Sequence, residues 1–369
     1  MIAPKVSIII PAYNAQNTLG PCLESVQNQN YNNYEIIVVD NNSTDETKQA
    51  VAEFQKDDAR IKYVFEPKHF RGAARNAGIR VASGEIIAMI DADCIAPPDW
   101  LFQLTKPLIE AGEAVAMGLI NDLTKNYWSK LGQNSEEECF QYATKSGYIN
   151  NLTTANFAIK TSVIKNFMFD DNLMSSEDYD LYLRLKKLFR IKALPQVRVG
   201  HRHRSSLKQI IKRQFEHGYW IVIVYQKHKK NIVRKEEIMF VSLSIINLIT
   251  LPFWLAVQFF KRSWGDFVYL FFSELSWRAG LAWSLIINVN PISWVIRKIK
   301  KQLQLKNDDH VISQLAVKKL SQQTPDICNN QKKIIFSPHF DDFIFSLGGL
   351  AQTFGQESAS RRRSYFLPN

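Results

Sequence analysis

The sequence predicts an α/β protein with a mostly parallel sheet that is flanked by helices on both faces. Short apolar runs alternate along the first quarter of the chain with segments whose apolar residues recur at helical spacing. Parallel strands need crossover connections, usually helices, so this alternation favours a doubly wound sheet. The 369 residues, 46% of them apolar, can fill a substantial core, which excludes collagen-like, coiled-coil and wholly disordered classes.

Strands and helices are predicted in strict alternation from the start of the chain. The first strand ends at Pro11, which cannot donate to a hydrogen-bond ladder. The strands are predicted at 5–10, 34–40, 61–65 and 85–90. Helices are predicted between them at 19–26, after the capping residues 41–46 through residue 54, and from residue 71 to residue 78.

Polar side chains follow three of these strands, at the point where each strand ends. They are Tyr13 and Asn14, then Asp40 and Asn42, then Asp91 and Asp93. Ligands bind at the carboxyl edge of open α/β sheets, and two carboxylates one residue apart there can share a hard divalent cation that carries phosphates. An Asp-x-Asp motif alone is more often a pair of solvated turn acids. Its convergence with the other two loops favours a nucleotide-diphosphate pocket.

The phosphates in such a pocket would need a cation and basic side chains. Neither common type of glycine-rich phosphate loop occurs in the sequence, so a dinucleotide-binding Rossmann domain loses its main support. Arg71 and Arg75, in the segment 71–78, are basic residues of this kind. We therefore expect one or both to contact the diphosphate.

Four segments resemble the successive motifs of family 2 glycosyltransferases with the GT-A fold. They are residues 6–14, 37–45, 71–78 and 91–93, and the similarity extends over roughly residues 5–225. The resemblance implies a nucleotide-sugar donor, with Asp40 near the base, Asp91 near the ribose and sugar, and Asp93 on a Mg²⁺ or Mn²⁺ that bridges the diphosphate, to which Asp91 can also contribute. The other donor-binding residues it implies are Pro11, Tyr13, Asn14, Asn42, Arg71 and Arg75.

The acceptor side is expected further along the chain. A strand is predicted near 114–119, and the polar, aromatic-containing residues 121–150 are of the sort that shape an acceptor site. Residues 153–160 are similar to the strand that lies beneath the acceptor in the family. The resemblance therefore implies that Asn156 lies on the acceptor side.

A second group of acids lies in the segment 175–181. Serines followed by acids mark the start of a helix, and Leu181, Leu185 and Leu188 would form its buried face. The acids could simply complement the helix dipole. The resemblance implies instead that Asp178 is the general base and that Glu177 faces the acceptor. One carboxylate that takes the proton of the acceptor hydroxyl is all that an inverting transfer requires.

Two histidines alternate in the basic segment 198–204. On an extended strand His201 and His203 face the same side, where they could bind a metal, contact phosphate or remain exposed. The resemblance implies that a histidine here completes the cation site and favours His201 over His203. Processive relatives carry Gln-x-x-Arg-Trp next, whereas residues 214–220 lack that arginine, which favours transfer of a single sugar.

Charge and hydropathy indicate attachment to a membrane. The net charge is +11, and residues 198–237 contain eleven Lys or Arg against three Glu. The uncharged run 238–260 is long enough to span a bilayer, while the run 267–289 contains Glu274 and Arg278, which could pair on one helix face. Either a helical hairpin or adhesion to anionic lipid would fit, at the cytoplasmic face of the plasma membrane. No N-terminal secretion signal is recognisable, and four scattered cysteines fit a reducing compartment.

The end of the chain resembles a different family. After a polar linker at 301–331, residues 333–350 are similar to the opening motif of zinc-dependent sugar N-deacetylases of the PIG-L type. This implies that His339 and Asp342 are zinc ligands and Asp341 a base, although Phe343 replaces the glutamate usual in that family. We expect residues 332–369 to be an incomplete deacetylase domain, after a glycosyltransferase domain at 1–225 and a helical region at 226–300.

The sequence thus favours an inverting, metal-dependent glycosyltransferase that moves a sugar from a nucleotide-diphosphate donor to a hydroxyl of a glycan or lipid-linked acceptor, in glycolipid or exopolysaccharide synthesis. One alternative is a catalytically inactive sugar-binding scaffold, against which the intact acids argue. Another is a basic nucleic-acid-binding protein. That class is less favoured because no nucleic-acid module is recognisable and the acids would repel a phosphate backbone.

Overall fold

The computed structural model describes residues 3–144, 146–228 and 264–289. They form two compact units, one of residues 3–209, 227–228 and 264–271 and the other of 210–226 and 272–289. The uncharged run 238–260, the linker 301–331 and the deacetylase-like segment 332–369 lie outside the described residues.

The first unit contains one sheet of nine strands in the described part of the chain. The strands are β1 Val6–Ala12, β2 Tyr34–Asp40, β3 Ile61–Phe65, β4 Ile86–Met89, β5 Cys94–Ile95, β6 Val115–Asp122, β7 Tyr148–Ile149, β8 Phe157–Lys160 and β9 Ile191–His201. Their order is β3-β2-β1-β4-β8-β6-β9-β5, and β7 pairs with β9.

Helices connect these strands and follow them. They are α1 Leu19–Gln27, α2 Thr47–Asp57, α3 Arg71–Val81, α4 Trp100–Glu110, α5 Tyr127–Thr144, α6 Thr161–Phe167, α7 Glu177–Leu185, α8 Leu207–His228 and α9 Trp264–Val289. A 3-10 turn at Thr154–Asn156 precedes β8.

The strands predicted from the first quarter of the sequence form the parallel half of the sheet. β2 pairs in parallel with β1 and β3, and β1 pairs in parallel with β4. The rest of the sheet is mixed instead of mostly parallel, because β8 runs antiparallel to both β4 and β6 while β6 and β9 pair in parallel. The connection from β6 to β8 contains α5, the short strand β7 and the 3-10 turn, so the presence of a helix between two strands does not by itself set their relative direction.

Each central strand is buried on both faces, which explains its continuous apolar run. Along β1, Ile8 and Ile10 pack in one apolar cluster with residues of α1 and α4, while Ile9 packs in the other with residues of α3, α6 and α7. The predicted helices on both faces of the sheet are therefore confirmed.

Helix α7 is shorter than the leucine spacing predicts. Leu181 and Leu185 are fully buried, but the helix ends at Leu185 and the side chain of Leu188 is 74% exposed. The prediction that Leu188 shares the buried face is wrong because the chain turns towards β9 before reaching it.

The second unit is a close packing of two helical segments. A side chain at Gly218 of α8 would collide with the backbone of Trp277, and one at Gly280 of α9 would collide with the backbone of Phe215. The predicted ion pair between Glu274 and Arg278 forms on α9. Among the described residues, no helix combines the length and apolar character needed for a bilayer crossing.

Candidate active site

The carboxyl ends of three neighbouring parallel strands form one edge of the sheet. Ala12 at the end of β1 is in register with Asp40 at the end of β2, and Ile9 of β1 is in register with Met89 at the end of β4. Asp91 follows two residues after β4. The loops that the sequence singles out therefore leave the sheet at a common edge.

Pro11 does not end the first strand, which continues to Ala12. β4 pairs only with residues 6–9 of β1, so near Pro11 the strand has a ladder partner on one side alone. A proline is tolerated in such a position. The next residue beyond the strand, Tyr13, is 48% exposed and its ring packs against His69 with 4.1 Å between centroids. No pattern in the sequence indicates a role for His69, which is identified by its contact with Tyr13.

The loops after β1 and β2 hold each other through hydrogen bonds. The backbone N–H of Asn14 donates to Ser43 Oγ at 2.9 Å, and Asn14 Oδ1 accepts the N–H of Thr44 at 2.9 Å. Asn14 and Asn42 have φ values of 48° and 62°, in the left-handed region that asparagine tolerates better than most residues. The two predicted donor residues thus shape a pair of interlocked polar loops.

Asp40 is fixed at the end of β2. Its side chain is buried, Oδ1 accepts the N–H of Ser43 at 2.9 Å, and Oδ2 accepts the hydroxyl of Tyr63 at 2.8 Å. Burial raises the pKa of Tyr63, and its hydrogen bond to Asp40 raises it further, so the phenol remains a donor. The carboxylate is held in one orientation and each oxygen keeps a second lone pair for a ligand.

Arg75 occupies a position that the sequence does not anticipate. Its side chain is 5% exposed; Nη1 donates to Glu177 Oε1 at 2.7 Å and Nη2 to Asp91 Oδ1 at 3.3 Å. Burial alone would lower the pKa of Arg75, but Glu177, Asp91 and Asp178 raise it, so the guanidinium stays charged. Arg75 therefore joins the acidic strand end to the start of α7. Arg71, at the start of α3, is half-buried.

Three potential metal ligands meet beyond the end of β4. A carboxylate oxygen of Asp93, the Sγ of Cys94 and a ring nitrogen of His201 all lie within 4.8 Å of one another. His201 Nε2 is 3.5 Å from Asp93 Oδ1, and His201 Nδ1 is buried with no hydrogen-bond partner among the described residues. Burial raises the pKa of Asp93 against the opposing effect of His201, and the Asp91 carboxylate raises it further. A divalent cation would relieve the repulsion between the carboxylates of Asp91 and Asp93, so these side chains are suited to bind a divalent cation.

His203 lies beside this cluster but is engaged elsewhere. Its ring contacts that of His201 edge to face, and its Nε2 is hydrogen-bonded to Gln133 Oε1 at 2.9 Å. Burial lowers its pKa to about 4, with His201 adding to the shift. His203 is therefore neutral near pH 7 and supports the orientation of His201, which has the direct contact with Asp93.

The acids at the start of α7 have three different environments. Glu177 is buried against Arg75, while Asp180 is fully buried further along the helix. Asp178 is only half-buried, and its Oδ1 accepts the N–H of Tyr179 at 2.8 Å. Ser176 precedes the helix with a φ of 62°, and its buried hydroxyl has no hydrogen-bond partner in the part of the chain that the structure describes. Of the three acids, Asp178 has the most access to a ligand.

Asp180 connects α7 to the end of α8. Its Oδ2 accepts from Arg184 Nη2 at 2.8 Å, and its Oδ1 lies 2.8 Å from both Lys227 Nζ and His228 Nε2. Lys227 also contacts Asp170 at 2.6 Å. The acid is thus a structural anchor and more than a complement to the helix dipole. The sequence could not reveal this contact because its partners are far apart along the chain.

Asn156 has a structural role instead of the predicted place on the acceptor side. Its side chain is fully buried, its Oδ1 accepts the indole N–H of Trp100 at 2.9 Å, and its Nδ2 donates to the carbonyls of Leu119 at 2.7 Å and Val197 at 3.0 Å. These bonds use its donors and hold α4, β6 and β9 together. No polar atom of Asn156 reaches a surface where an acceptor could bind.

Comparison with known proteins identifies the family. The model of the family "Glycosyl transferase family 2" matches residues 7–169. The UDP-Glc:alpha-D-GlcNAc-diphosphoundecaprenol beta-1,3-glucosyltransferase WfgD of Escherichia coli is 31% identical over 218 residues, which cover 57% of this chain and 81% of that protein. Glycosyltransferase GlyA of Streptococcus pneumoniae is 34% identical over 129 residues, 35% of this chain but only 18% of that longer protein.

A solved structure shares the fold. The mannosyltransferase PcManGT of Pyrobaculum calidifontis, in complex with GDP-Man and Mn²⁺, is 19% identical and superposes with a TM-score of 0.53 over 78% of this chain and 89% of that one. This shared fold agrees with the match to WfgD, which extends over most of that protein's length. The chain belongs to the family 2 glycosyltransferases and has a GT-A-like fold.

Proposed function

We propose that the protein transfers a single sugar, with inversion, from a nucleotide diphosphate to a hydroxyl of a lipid-linked glycan, with the help of a divalent cation. The observation that carries the proposal is the Arg75 bridge. One guanidinium contacts Asp91 at the acidic strand end and Glu177 at the start of α7, so the acids of the two motifs lie on opposite sides of one buried side chain.

The donor would lie along the carboxyl edge of the parallel strands. Asp40 presents a fixed carboxylate that can accept N–H groups of the base, and the exposed Tyr13 with His69 offers a ring surface for stacking. The interlocked loops that contain Asn14 and Asn42 would shape the pocket. Among the arginines of α3, Arg71 would contact the diphosphate, because Arg75 already holds two carboxylates and Arg80 pairs with Glu66.

Asp93 and His201 would hold the cation, with Asp91 within reach of the same group. Either Mg²⁺ or Mn²⁺ suits carboxylate ligands, and PcManGT was solved with Mn²⁺. When bound, such a cation supplies positive charge to the departing diphosphate. Two carboxylates and the imidazole of His201 would be the protein ligands, and the raised pKa of Asp93 supports the need for added positive charge.

Asp178 would be the general base. As the acceptor oxygen bonds to the anomeric carbon, the carboxylate takes the hydroxyl proton and the bond from that carbon to the diphosphate oxygen breaks, which inverts the configuration. Glu177 cannot share this role because its carboxylate is buried against Arg75. Arg75 would hold Asp91 and the start of α7 at a fixed separation.

The acceptor is proposed to be lipid-linked because the related WfgD is named for transfer to a diphosphoundecaprenol-linked sugar. The basic residues in 198–237 support adhesion to an anionic membrane surface, at the cytoplasmic face where nucleotide sugars are available. The missing arginine in 214–220 supports one transfer per acceptor and not processive synthesis.

The test is a screen of nucleotide sugars against short glycan-diphosphate-lipid acceptors, with Mn²⁺, with Mg²⁺ and with excess chelator. For the productive donor we expect Asp178→Asn to lower kcat at least about a hundredfold, since loss of a general base typically costs two to four orders of magnitude. Donor binding, measured by calorimetry with the nucleotide diphosphate, should change less than about threefold because Asp178 does not hold the donor.

Retention of more than about a tenth of the rate by Asp178→Asn would remove Asp178 from the mechanism. Asp171→Asn is the matched control, since Asp171 is a half-buried acid in the loop before α7 and accepts a hydrogen bond from Asn76 of α3. Full activity in excess chelator would refute the proposed cation.

A further inference from the structure

The Asp93 side of the site contains a thiol that the proposed chemistry does not use. β5 is two residues long and pairs antiparallel with β9, so that Cys94 lies directly opposite His201. Residues opposed in this way project from the same face of the sheet with their Cβ atoms about 5 Å apart. Asp93 precedes Cys94 in the chain. The short strand pairing therefore brings an oxygen, a sulfur and a nitrogen ligand to one place.

The contacts of these side chains leave atoms that could bind a metal ion without a close partner. The Cys94 side chain is fully buried, and its Sγ lies 3.9 Å from Asp93 Oδ1, the same oxygen that is 3.5 Å from His201 Nε2. His201 Nδ1 is buried without a hydrogen-bond partner among the described residues. A buried ring nitrogen of this kind is costly unless something binds it.

The mixture of ligands selects among metal ions. Mg²⁺ and Ca²⁺ prefer oxygen ligands, whereas thiolate and imidazole favour Zn²⁺ and its borderline relatives. Three protein ligands that leave one position open are typical of sites where a bound metal meets a substrate. A site with one oxygen, one nitrogen and one sulfur ligand should therefore prefer a different metal from a site made of carboxylates alone.

We propose that Asp93, Cys94 and His201 together bind a thiophilic divalent cation, such as Zn²⁺, Co²⁺ or Cd²⁺, more tightly than Mg²⁺. On binding, the Cys94 thiol releases its proton to solvent and the thiolate sulfur becomes the third ligand. This inference rests on the proposed function for the position of the cation, which it shares, and adds the ligand that sets the choice of metal. Binding itself does not require sugar transfer.

Cobalt provides the direct test. The full-length protein is titrated with Co²⁺ in the absence of any nucleotide sugar, and the near-ultraviolet absorption of a cobalt–thiolate bond is recorded. We expect a band that saturates at one Co²⁺ per chain, that stoichiometric Zn²⁺ abolishes and that a large excess of Mg²⁺ does not. Absence of the band in the wild-type protein would overturn the proposal without reference to any variant.

Two cysteine variants identify the sulfur. Cys94→Ser should lose the band, and its affinity for Cd²⁺ should fall at least about tenfold while its affinity for Mn²⁺ changes less than about threefold, since only the soft ligand is removed. Cys22→Ser is the matched control, because Cys22 is also fully buried but its Sγ lies 3.6 Å from the backbone carbonyl of Asp91 and outside the ligand cluster. Its band should be unchanged.

A band that persists in Cys94→Ser, in protein whose thermal unfolding is still cooperative, would assign the signal to another cysteine and refute the proposal. If Cys94→Ser does not fold, His201→Ala replaces it, and retention of wild-type Co²⁺ affinity by that variant would be equally contrary. Sugar transfer by the protein with Mn²⁺ but no cobalt–thiolate band would leave the proposed function intact and reject this inference. A cobalt–thiolate band in a protein that transfers no sugar would reject the proposed function and leave this inference intact.

Discussion

Arg75 turns two separated acidic motifs into one arrangement. A charge this deeply buried is tolerated only because carboxylates face it on two sides, and the removal of one partner would leave the others uncompensated. The sequence assigns Arg75 to the diphosphate because it lies next to Arg71 in a motif. The pattern alone cannot distinguish an arginine that faces a ligand from one that faces two acids.

If Arg75 positions the catalytic carboxylates, its substitution should lower kcat and leave the KM for the donor nearly unchanged. We expect Arg75→Lys to lower kcat about a hundredfold, because a single ammonium cannot hold both carboxylates and small misplacements of catalytic groups cost about that much. The KM for the donor should change less than about threefold, since the proposed donor contacts do not include Arg75. Steady-state kinetics over a range of donor concentrations measure both quantities.

Arg80→Lys on the same helix is the control, because the Arg80 side chain is 52% exposed and, among the described residues, pairs with Glu66. Its kinetics should match those of the wild type. A raised donor KM with unchanged kcat in Arg75→Lys would instead return Arg75 to the diphosphate, as the sequence predicts.

At the scale of the elements, the sequence predicts the structure best where one strand follows one helix. The strands from β1 to β4 lie where their apolar runs place them, and Leu19, Leu23 and Val26 are fully buried as their spacing predicts. Beyond β4 the same rules fail for direction, since β8 is antiparallel, and for extent, since α7 ends before Leu188. Pairing direction and helix length there depend on tertiary contacts that no local pattern encodes.

Some residues of the candidate site could likewise be placed from the sequence, and others could not. Asp40, Asp91 and Asp93 could be placed at one edge from strand order alone, whereas Cys94 enters the cluster only through its pairing with His201. Asn156 illustrates the opposite error, because a polar residue in a recognisable motif is fully buried and bonds three elements together. Motifs predict which residues matter and do not predict what those residues contact.

Glu35 joins several elements at the opposite end of the parallel strands. Its Oε1 accepts from Ser7 Oγ of β1 at 2.6 Å and from the N–H of Ser83 at 2.8 Å, and its Oε2 accepts from Lys62 Nζ of β3 at 2.7 Å. Burial alone would raise the pKa of Glu35, but the hydrogen bonds from Lys62, Ser7 and Ser83 outweigh it and lower the pKa to about 2. The carboxylate therefore stabilises the fold only in its charged form.

We expect Glu35→Gln to lower the free energy of unfolding at pH 7 by about 3 kcal/mol, which corresponds to a pKa about 2 in the folded protein against an ordinary 4.5. Because the folded pKa is depressed, the stabilisation is complete above the unfolded pKa and is lost as the pH falls through the folded one. The difference between the two proteins should thus shrink between about pH 5 and pH 2. Urea unfolding at several pH values measures it.

Glu53→Gln provides the comparison, since Glu53 pairs with Lys56 at the surface with 68% of its side chain exposed. Such exposed pairs contribute about 0.5 kcal/mol or less. Glu53→Gln should therefore change the free energy of unfolding only slightly. A difference between Glu35→Gln and wild type that stays constant down to acid pH would show that packing, and not the charge, accounts for the loss.

At the scale of the whole molecule, charge is distributed very unevenly. The segment 198–237 contains eleven Lys or Arg against three Glu, and it begins at the strand that contributes His201. A lipid-linked acceptor would have to be met at a membrane surface, and an anionic surface attracts such a segment by about 1 kcal/mol per basic residue near it. The basic segment and the site are thus close in sequence, which suits an enzyme whose acceptor is anchored in lipid.

Vesicle flotation tests this attraction and separates it from insertion. We expect the full-length protein to float with vesicles that contain anionic lipid, to bind purely zwitterionic vesicles much less, and to be released at about 0.5 M salt, where the screening length falls to roughly 4 Å. Substitution of Lys229, Lys230, Arg234 and Lys235 by Gln, in the part of the basic segment furthest in sequence from His201, should lower binding and leave transfer to a short soluble acceptor unchanged. Binding that is insensitive to both salt and these substitutions would mean that apolar contact with the bilayer, and not charge, holds the protein there.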